Sequence, residues 1–238
     1  MERTPDTWRF VATDTSAQKY TDAQIDDYQG LPRRQFPWRP PLTMRVRARF
    51  SHGKEQLQGT AGFGFWNDPF LMTGRRPPAL PRAVWFFFAS PPSNMVLDLE
   101  EPGHGWKAMA LDALRWPFIL SLPALPVAAL LMNIPSLRRG LLPLLQRAAR
   151  AQETSLTVDM TTWHTYEIDW MTEESRFSVD GQTILESVPS PGGPLGFVLW
   201  LDNQYAIVTP WGHLGYGLLA TCGRQWLEID KIEIERFV

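Results

Sequence analysis

Two polar clusters carry the residue types from which a site could be built. Asn67 and Asp68 end the aromatic run GTAGFGFWNDPF, and Asp202-Asn203-Gln204-Tyr205 follows the apolar run Leu195 to Leu201. Carboxyl, amide and phenol groups at the ends of aromatic strands offer hydrogen bonds, and a carboxyl can also serve as acid or base. A few convergent polar groups around an apolar floor describe a small-molecule site, and strand-end loops are where such sites collect. Each residue taken alone also fits turn and capping chemistry. His52, His104, His164 and His213 are scattered, with neither HxH nor HExxH spacing, so no metal site and no cofactor is expected. Cys222 is the only cysteine, which excludes an internal disulfide; without a partner motif it reads as a small buried hydrophobe.

Strands must present these groups. In Gly59 to Phe70 small residues interleave with Phe63, Phe65 and Trp66, and glycine within a strand marks a bend or the close approach of another group. Pro81 to Ser90, PRAVWFFFAS, is apolar on both faces, so both faces should be covered. A sheet face floored by Trp or Phe needs either a cover from elsewhere in the chain or a stacking ligand. The expected ligand-binding set is therefore Trp66, Asn67, Asp68, Trp85, Phe87, Trp200, Asp202, Asn203 and Tyr205.

Further elements follow from period-two alternation. Trp163 to Gly181, WHTYEIDWMTEESRFSVDG, reads as strand, turn, strand, then an Asp180-Gly181 hairpin turn leading into Thr183-Ile184-Leu185. Leu42 to Phe50 alternates apolar residues with Arg45, Arg47 and Arg49, predicting a strand with one solvated face. Trp226 to Glu235 alternates with a slip at Asp230-Lys231. Thr7 to Tyr28 reads as an edge strand and a long loop, and Thr209 to Gly217 as a Gly-rich aromatic loop.

From Gly103 to Glu153 the strand pattern gives way to an apolar, Pro-interrupted helical insertion. Trp116 to Leu137 is free of charge and reaches the ~20 residues of a membrane span. A single crossing would place strands of one sandwich on opposite sides of a bilayer, and Pro123, Pro126 and Pro135 interrupt any straight helix. Ser136 to Arg150 has the spacing of an amphipathic helix. The insertion is expected to shield or extend the groove, with an oligomer contact or a peripheral membrane anchor as the alternatives.

The order of these motifs, His164 before YEIDW, then F-x-VDG, an apolar strand ending at Trp200 and a closing LEIDKIEIE, resembles the concanavalin A-like lectin/glucanase superfamily. The bacterial laminarinase and lichenase type is the nearest match. The resemblance spans about Met44 to Phe88 and Trp163 to the C-terminus. It implies an all-β jelly roll, a two-sheet antiparallel β-sandwich with one sheet curved into a carbohydrate groove. Where such glucanases carry catalytic carboxylates two residues apart, this chain has Ala83 to Phe88 and no acid in either parity. Retaining hydrolysis needs two carboxyl groups about 5–5.5 Å apart, so the mechanism does not carry over. Asp98, Glu100 and Glu101 lie close enough to supply acids from the far end of that strand, but solvent exposure is the preferred reading.

The length of 238 residues fits a single β-sandwich domain over 1–238. A net charge of −2 gives no field for nucleic acid. The opening MERTPDTWRF lacks the apolar core of a signal peptide, from which a cytoplasmic location is expected. The leading functional expectation is a sandwich that binds a carbohydrate-containing or amphipathic small molecule and is not an active β-glucanase. The alternatives are an enzyme of different chemistry on an apolar small molecule, with Asp68 or Asp202 as acid or base, and a membrane-surface or oligomer interaction module working through residues 103–153.

Overall fold

The computed structural model describes residues 1–69 and 76–237. The first half runs β1 (Glu2–Arg3), β2 (Trp8–Thr13), β3 (Asp22–Asp26), β4 (Leu42–Phe50), β5 (Thr60–Trp66), β6 (Arg82–Ala89) and β7 (Gly105–Asp112). Three helices follow, α1 (Trp116–Ser121), α2 (Leu125–Leu131) and α3 (Pro135–Ala149). The chain then returns to strands: β8 (Gln152–Ser155), β9 (His164–Trp170), β10 (Glu174–Val179), β11 (Gln182–Pro189), β12 (Gly196–Asp202), β13 (Gln204–Val208), β14 (Leu214–Leu218) and β15 (Arg224–Arg236).

Two large antiparallel sheets result. One has seven strands in the order β1-β2-β15-β4-β9-β10-β11, the other six in the order β3-β12-β5-β6-β7-β8, and β13-β14 forms a separate hairpin. This is the expected two-sheet sandwich with a helical insertion. Period-two alternation produces the core between the sheets: Phe63, Phe86 and Trp106 from one sheet meet Tyr166 and Phe177 from the other, all fully or almost fully buried. Their rings pack edge-on, Phe86 to Tyr166 at 5.1 Å and Phe86 to Phe177 at 5.4 Å between centroids.

The meander forms as read. Phe177 opposes Ile168 and Val179 opposes Tyr166, and both Asp180 and Gly181 take positive φ (51° and 77°), the backbone of a two-residue hairpin turn whose twist suits the flanking strands. His164 is hydrogen-bonded there, its Nδ1 lying 2.6 Å from Asp180 Oδ2. The expected slip in β15 appears as a register shift between Ile229 and Lys231. On the solvated face of the seven-stranded sheet Arg45 pairs with Glu167 and Glu235, Arg47 with Asp230, and Arg49 with Glu228. That ladder is fully paired and offers no anion site.

Four local expectations need correction. The N-terminal stretch is not only an edge strand and loop, because Asp22 to Asp26 pairs with β12 as β3. Gly105 to Asp112, inside the expected insertion of 103–153, is strand β7, so the helical part is confined to 116–149. Its Trp106, Ala108 and Ala110 face the core, but alanine's weak strand preference hides the alternation. Thr209 to Gly217 contributes to a hairpin instead of forming a free loop. Cys222 is exposed, on the turn that enters β15.

Candidate functional site

The outward face of the six-stranded sheet carries a cavity of about 740 Å³, within the range of small-molecule sites. Its floor comes from alternate residues of β12, β5 and β6. Across β5, Gly62 stands between Trp200 on β12 and Phe87 on β6, while Gly64 stands between Val198 and Trp85. Those glycines let the large rings lean over the central strand. A Cβ on Gly62 would lie 2.9 Å from the Trp200 ring, and one on Gly64 would lie 2.5 Å from Trp85 Cβ. Trp85 stacks on Phe87 at 5.3 Å and 21°, and lies 5.3 Å from Trp200 and 5.7 Å from Trp66. The result is a continuous aromatic surface.

Two of the three indoles are tied down. Trp200 Nε1 donates to Thr60 Oγ1 at 2.9 Å, and Trp66 Nε1 donates to Tyr28 OH at 2.6 Å. Trp85 Nε1 is buried with no partner, and so is the amide oxygen Oε1 of Gln204 at the other end of the floor. Both atoms have almost no accessible surface, and Trp85 and Gln204 line the cavity through their other atoms. Buried polar groups without partners are uncommon in native proteins.

A polar margin runs beside the aromatic floor on β3. Asp22, Gln24 and Asp26 face Asp202, Trp200 and Val198 across the β3–β12 pairing, and all three line the cavity. Burial, reinforced by the charge of Asp26, raises the Asp22 carboxyl to about 6. Asp202 is raised by burial to about 7, against the opposing hydrogen bonds from Gln204 N and the Thr60 hydroxyl. Its Oδ1 accepts from Thr60 Oγ1 at 2.8 Å and from Gln204 N at 3.1 Å, while Oδ2 accepts from Gln204 Nε2 at 2.5 Å and Tyr20 OH at 3.3 Å. Burial, followed by the Asp202 and Asp22 charges, drives the Tyr20 phenol far above its usual range. Among the described residues no group of three or more His, Cys, Asp or Glu side chains is placed to hold a metal ion.

The walls are the β13–β14 hairpin and the loop after β6. Ala206, Val208, Gly215 and Tyr216 line the cavity from the hairpin and Met95 from the loop. Hairpin and loop are joined, since Asn94 N donates to Ala206 O and Val208 N to Asn94 O, both at 2.9 Å. The helical insertion supplies no lining residue, so it does not roof the groove. It braces the walls from outside: Gln146 Nε2 donates to Leu97 O at 2.7 Å, and Asn133 Nδ2 to Trp211 O at 3.1 Å.

Of the sequence-derived candidates, Trp66, Trp85, Phe87, Trp200 and Asp202 line the cavity. The other four lie elsewhere. Asn67 ties strand ends together, donating to Leu80 O and accepting from Arg82 N at 2.9 Å each. Asp68 is fully buried in an ion pair with Arg76 at 2.5 Å, which removes it as a free acid or base. Asn203 Nδ2 donates to Ser16 O, Lys19 O and Leu219 O, and its Oδ1 accepts from Thr21 N. Tyr205 has the opposite parity to Gln204 and Ala206 and packs over Gly217. Asp98 and Glu101 bring no acid to the groove, because Glu101 accepts from Ser155 N at 3.0 Å and Asp98 lines a separate crevice beside α3. Sequence reasoning missed Asp22, Gln24 and Asp26, whose signal was the short alternation DAQID, Tyr20 and Tyr28 on either side of it, and Tyr216, which only the hairpin's docking brings near; Gln204 was named in the polar cluster but not carried into the expected set.

No protein-family model matches the sequence, and no curated protein does. Solved structures do match in shape. An endo-acting O-glycanase of the human gut microbiota superposes with a TM-score of 0.51 at 10% identity, over 97% of this chain and 79% of the other. The β-glucanase of Bacillus licheniformis gives 0.44 at 10% identity, covering 97% and 78%. A pseudo β-1,3-glucanase of Mycobacterium tuberculosis gives 0.47 at 9% identity, covering 98% and 75%. The two-sheet topology and the O-glycanase match show the fold alone, an antiparallel two-sheet β-sandwich.

Proposed function

We propose that the chain binds a saccharide in the aromatic groove and does not hydrolyse β-glucans. The observation that carries this reading is the aromatic surface of Trp66, Trp85, Phe87 and Trp200 with polar side chains along its margin. Sugar rings offer an apolar C–H face for stacking and hydroxyls that both donate and accept, so one ligand class answers both features. Asp22, Gln24 and Asp26 supply the polar groups along one side of the same surface.

Calorimetric titration with β-1,3- and β-1,4-linked gluco-oligosaccharides, preceded by a broader glycan screen, tests the reading. Trp85→Ala should weaken the best ligand by roughly tenfold or more, as expected for loss of a stacking ring. Trp85→Phe keeps a smaller ring and should fall between the two. If no saccharide binds, or Trp85→Ala binds as wild type does, the reading is wrong.

The proposed lack of hydrolysis rests on the strand that faces the groove. The groove-side positions of β6 are Ala83, Trp85 and Phe87, and none can act as nucleophile or general acid. Asp202, the buried acid nearest the floor, has both oxygens engaged in hydrogen bonds. Incubation with laminarin and lichenan should release no reducing ends above buffer. Release abolished by Asp202→Asn or Asp22→Asn would move the chemistry to the β3–β12 side of the groove.

A further inference from the structure

The helical insertion presents an apolar surface that nothing in the chain covers. From Trp116 to Ala149 only Met132, Leu142 and Ala149 are buried, whereas Trp116, Leu120 and Leu130 are 74%, 74% and 73% exposed. The tip of the β13–β14 hairpin continues this surface. Leu214 there is 79% exposed, and Arg138 of α3 lies 4.0 Å over the neighbouring Trp211 ring. Exposed apolar side chains concentrated on one part of a molecule mark a docking face.

Charge identifies the occupant. From Ala113 to Gln152 the chain contains no Asp or Glu and five arginines, Arg115, Arg138, Arg139, Arg147 and Arg150. The molecule as a whole is net negative at −2, so this segment, at +5, is opposite in sign to the rest of the chain, at −7. A second copy docking through the same surface would set arginines against arginines with no acid in the segment to receive them. An anionic lipid surface receives both features, taking apolar side chains below the headgroups and guanidinium groups at their level. The helices have 6, 7 and 15 residues, and no helix among the described residues is long and apolar enough to cross a bilayer. They suit a position lying in the interface.

We infer that the insertion, with the tip of the β13–β14 hairpin, is a peripheral docking surface for an anionic membrane. The inference is independent of the groove's ligand, since no insertion residue lines the groove.

The test is co-sedimentation of the full chain with phosphatidylcholine vesicles, with and without phosphatidylglycerol. Binding should be roughly tenfold or more tighter to the phosphatidylglycerol vesicles, given the attraction of several arginines to an anionic surface, and should weaken with added salt. Leu120→Glu with Leu130→Glu changes two exposed positions, so the melting temperature should hold while binding is lost. Arg139→Glu with Arg147→Glu should remove the preference for phosphatidylglycerol. Absence of co-sedimentation with either vesicle would overturn the inference, as would binding that the Leu120/Leu130 variant leaves unchanged. A concentration-dependent dimer dissolved by that variant, without vesicle binding, would assign the face to a second copy and also overturn it.

Discussion

At the scale of single residues, burial decides the charge of Asp202, and that charge has a cost. Its carboxyl is raised to about 7 in the folded chain from an ordinary 3.8, with burial as the largest cause. Between those values the folded state holds a proton that the unfolded state has released, so stability falls as pH rises through that window and levels off above it. Asp22, raised to about 6, adds a contribution of the same sign over a narrower range. Asp202→Asn removes the titration and keeps an oxygen to accept from Thr60 and Gln204. Urea denaturation at about pH 5 and about pH 8 should show wild-type stability dropping by on the order of a few kcal/mol, and a distinctly smaller drop in the variant. Equal drops would show that Asp202 is ionised throughout. Asp202 was legible in the sequence because it continues the alternation of a strand whose Trp200 already marked the groove face. Asn67, Asp68 and Asn203 were legible only as polar residues at strand ends. Whether such a residue faces a cavity or fastens a turn depends on partners such as Arg76, Leu80 and Ser16 that sequence proximity does not reveal.

At the scale of elements, the groove depends on a strand without side chains at its centre. Gly64 has φ +149°, and a Cβ there would meet Trp85 Cβ at 2.5 Å and Val84 O at 2.6 Å, atoms that cannot swing aside. Gly64→Ala should therefore lower stability by about 2 kcal/mol or more through overpacking and should alter the near-ultraviolet circular dichroism of the stacked tryptophans. Gly140 is the opposite case: it sits inside α3, and a Cβ there would meet nothing within 4 Å. Gly140→Ala should raise helix stability by about 0.5–1 kcal/mol. Denaturation curves that moved both variants the same way would refute this contrast. The spacing of glycines among Phe63, Phe65 and Trp66 announced a close approach in the sequence. It did not announce which rings approach, since Trp85 and Trp200 arrive from strands on either side. Strand β3 escaped notice because five residues of alternation within a polar stretch give little contrast, and β7 because its core positions beyond Trp106 are alanines.

At the scale of the whole molecule, sandwich and insertion are separable in structure. The sandwich was the most legible feature, because alternation in β4, β9, β10 and β15 repeats over long runs and one buried face fixes the register. The insertion was legible as apolar and Pro-broken, but its position was not: the need to cover an aromatic floor suggested a roof, and the structure puts the insertion behind the walls. Its excision gives a decisive measurement. β7 and β8 are antiparallel neighbours, with Ala110 opposite Gln152, so the helices simply extend the connection between two paired strands. Replacing residues 114–150 by a short Gly/Asn turn should leave both sheets intact, since that segment buries only Met132, Leu142 and Ala149. The loss of the Gln146–Leu97 and Asn133–Trp211 contacts should loosen the groove walls. At roughly 1 kcal/mol for each hydrogen bond lost, the shortened chain should melt a few degrees below the full one, keep its strand signal in far-ultraviolet circular dichroism and bind vesicles no longer. An unfolded or aggregated product would mean that the helices are integral to the sandwich core. A shortened chain that still bound vesicles would place the docking surface on the sandwich itself.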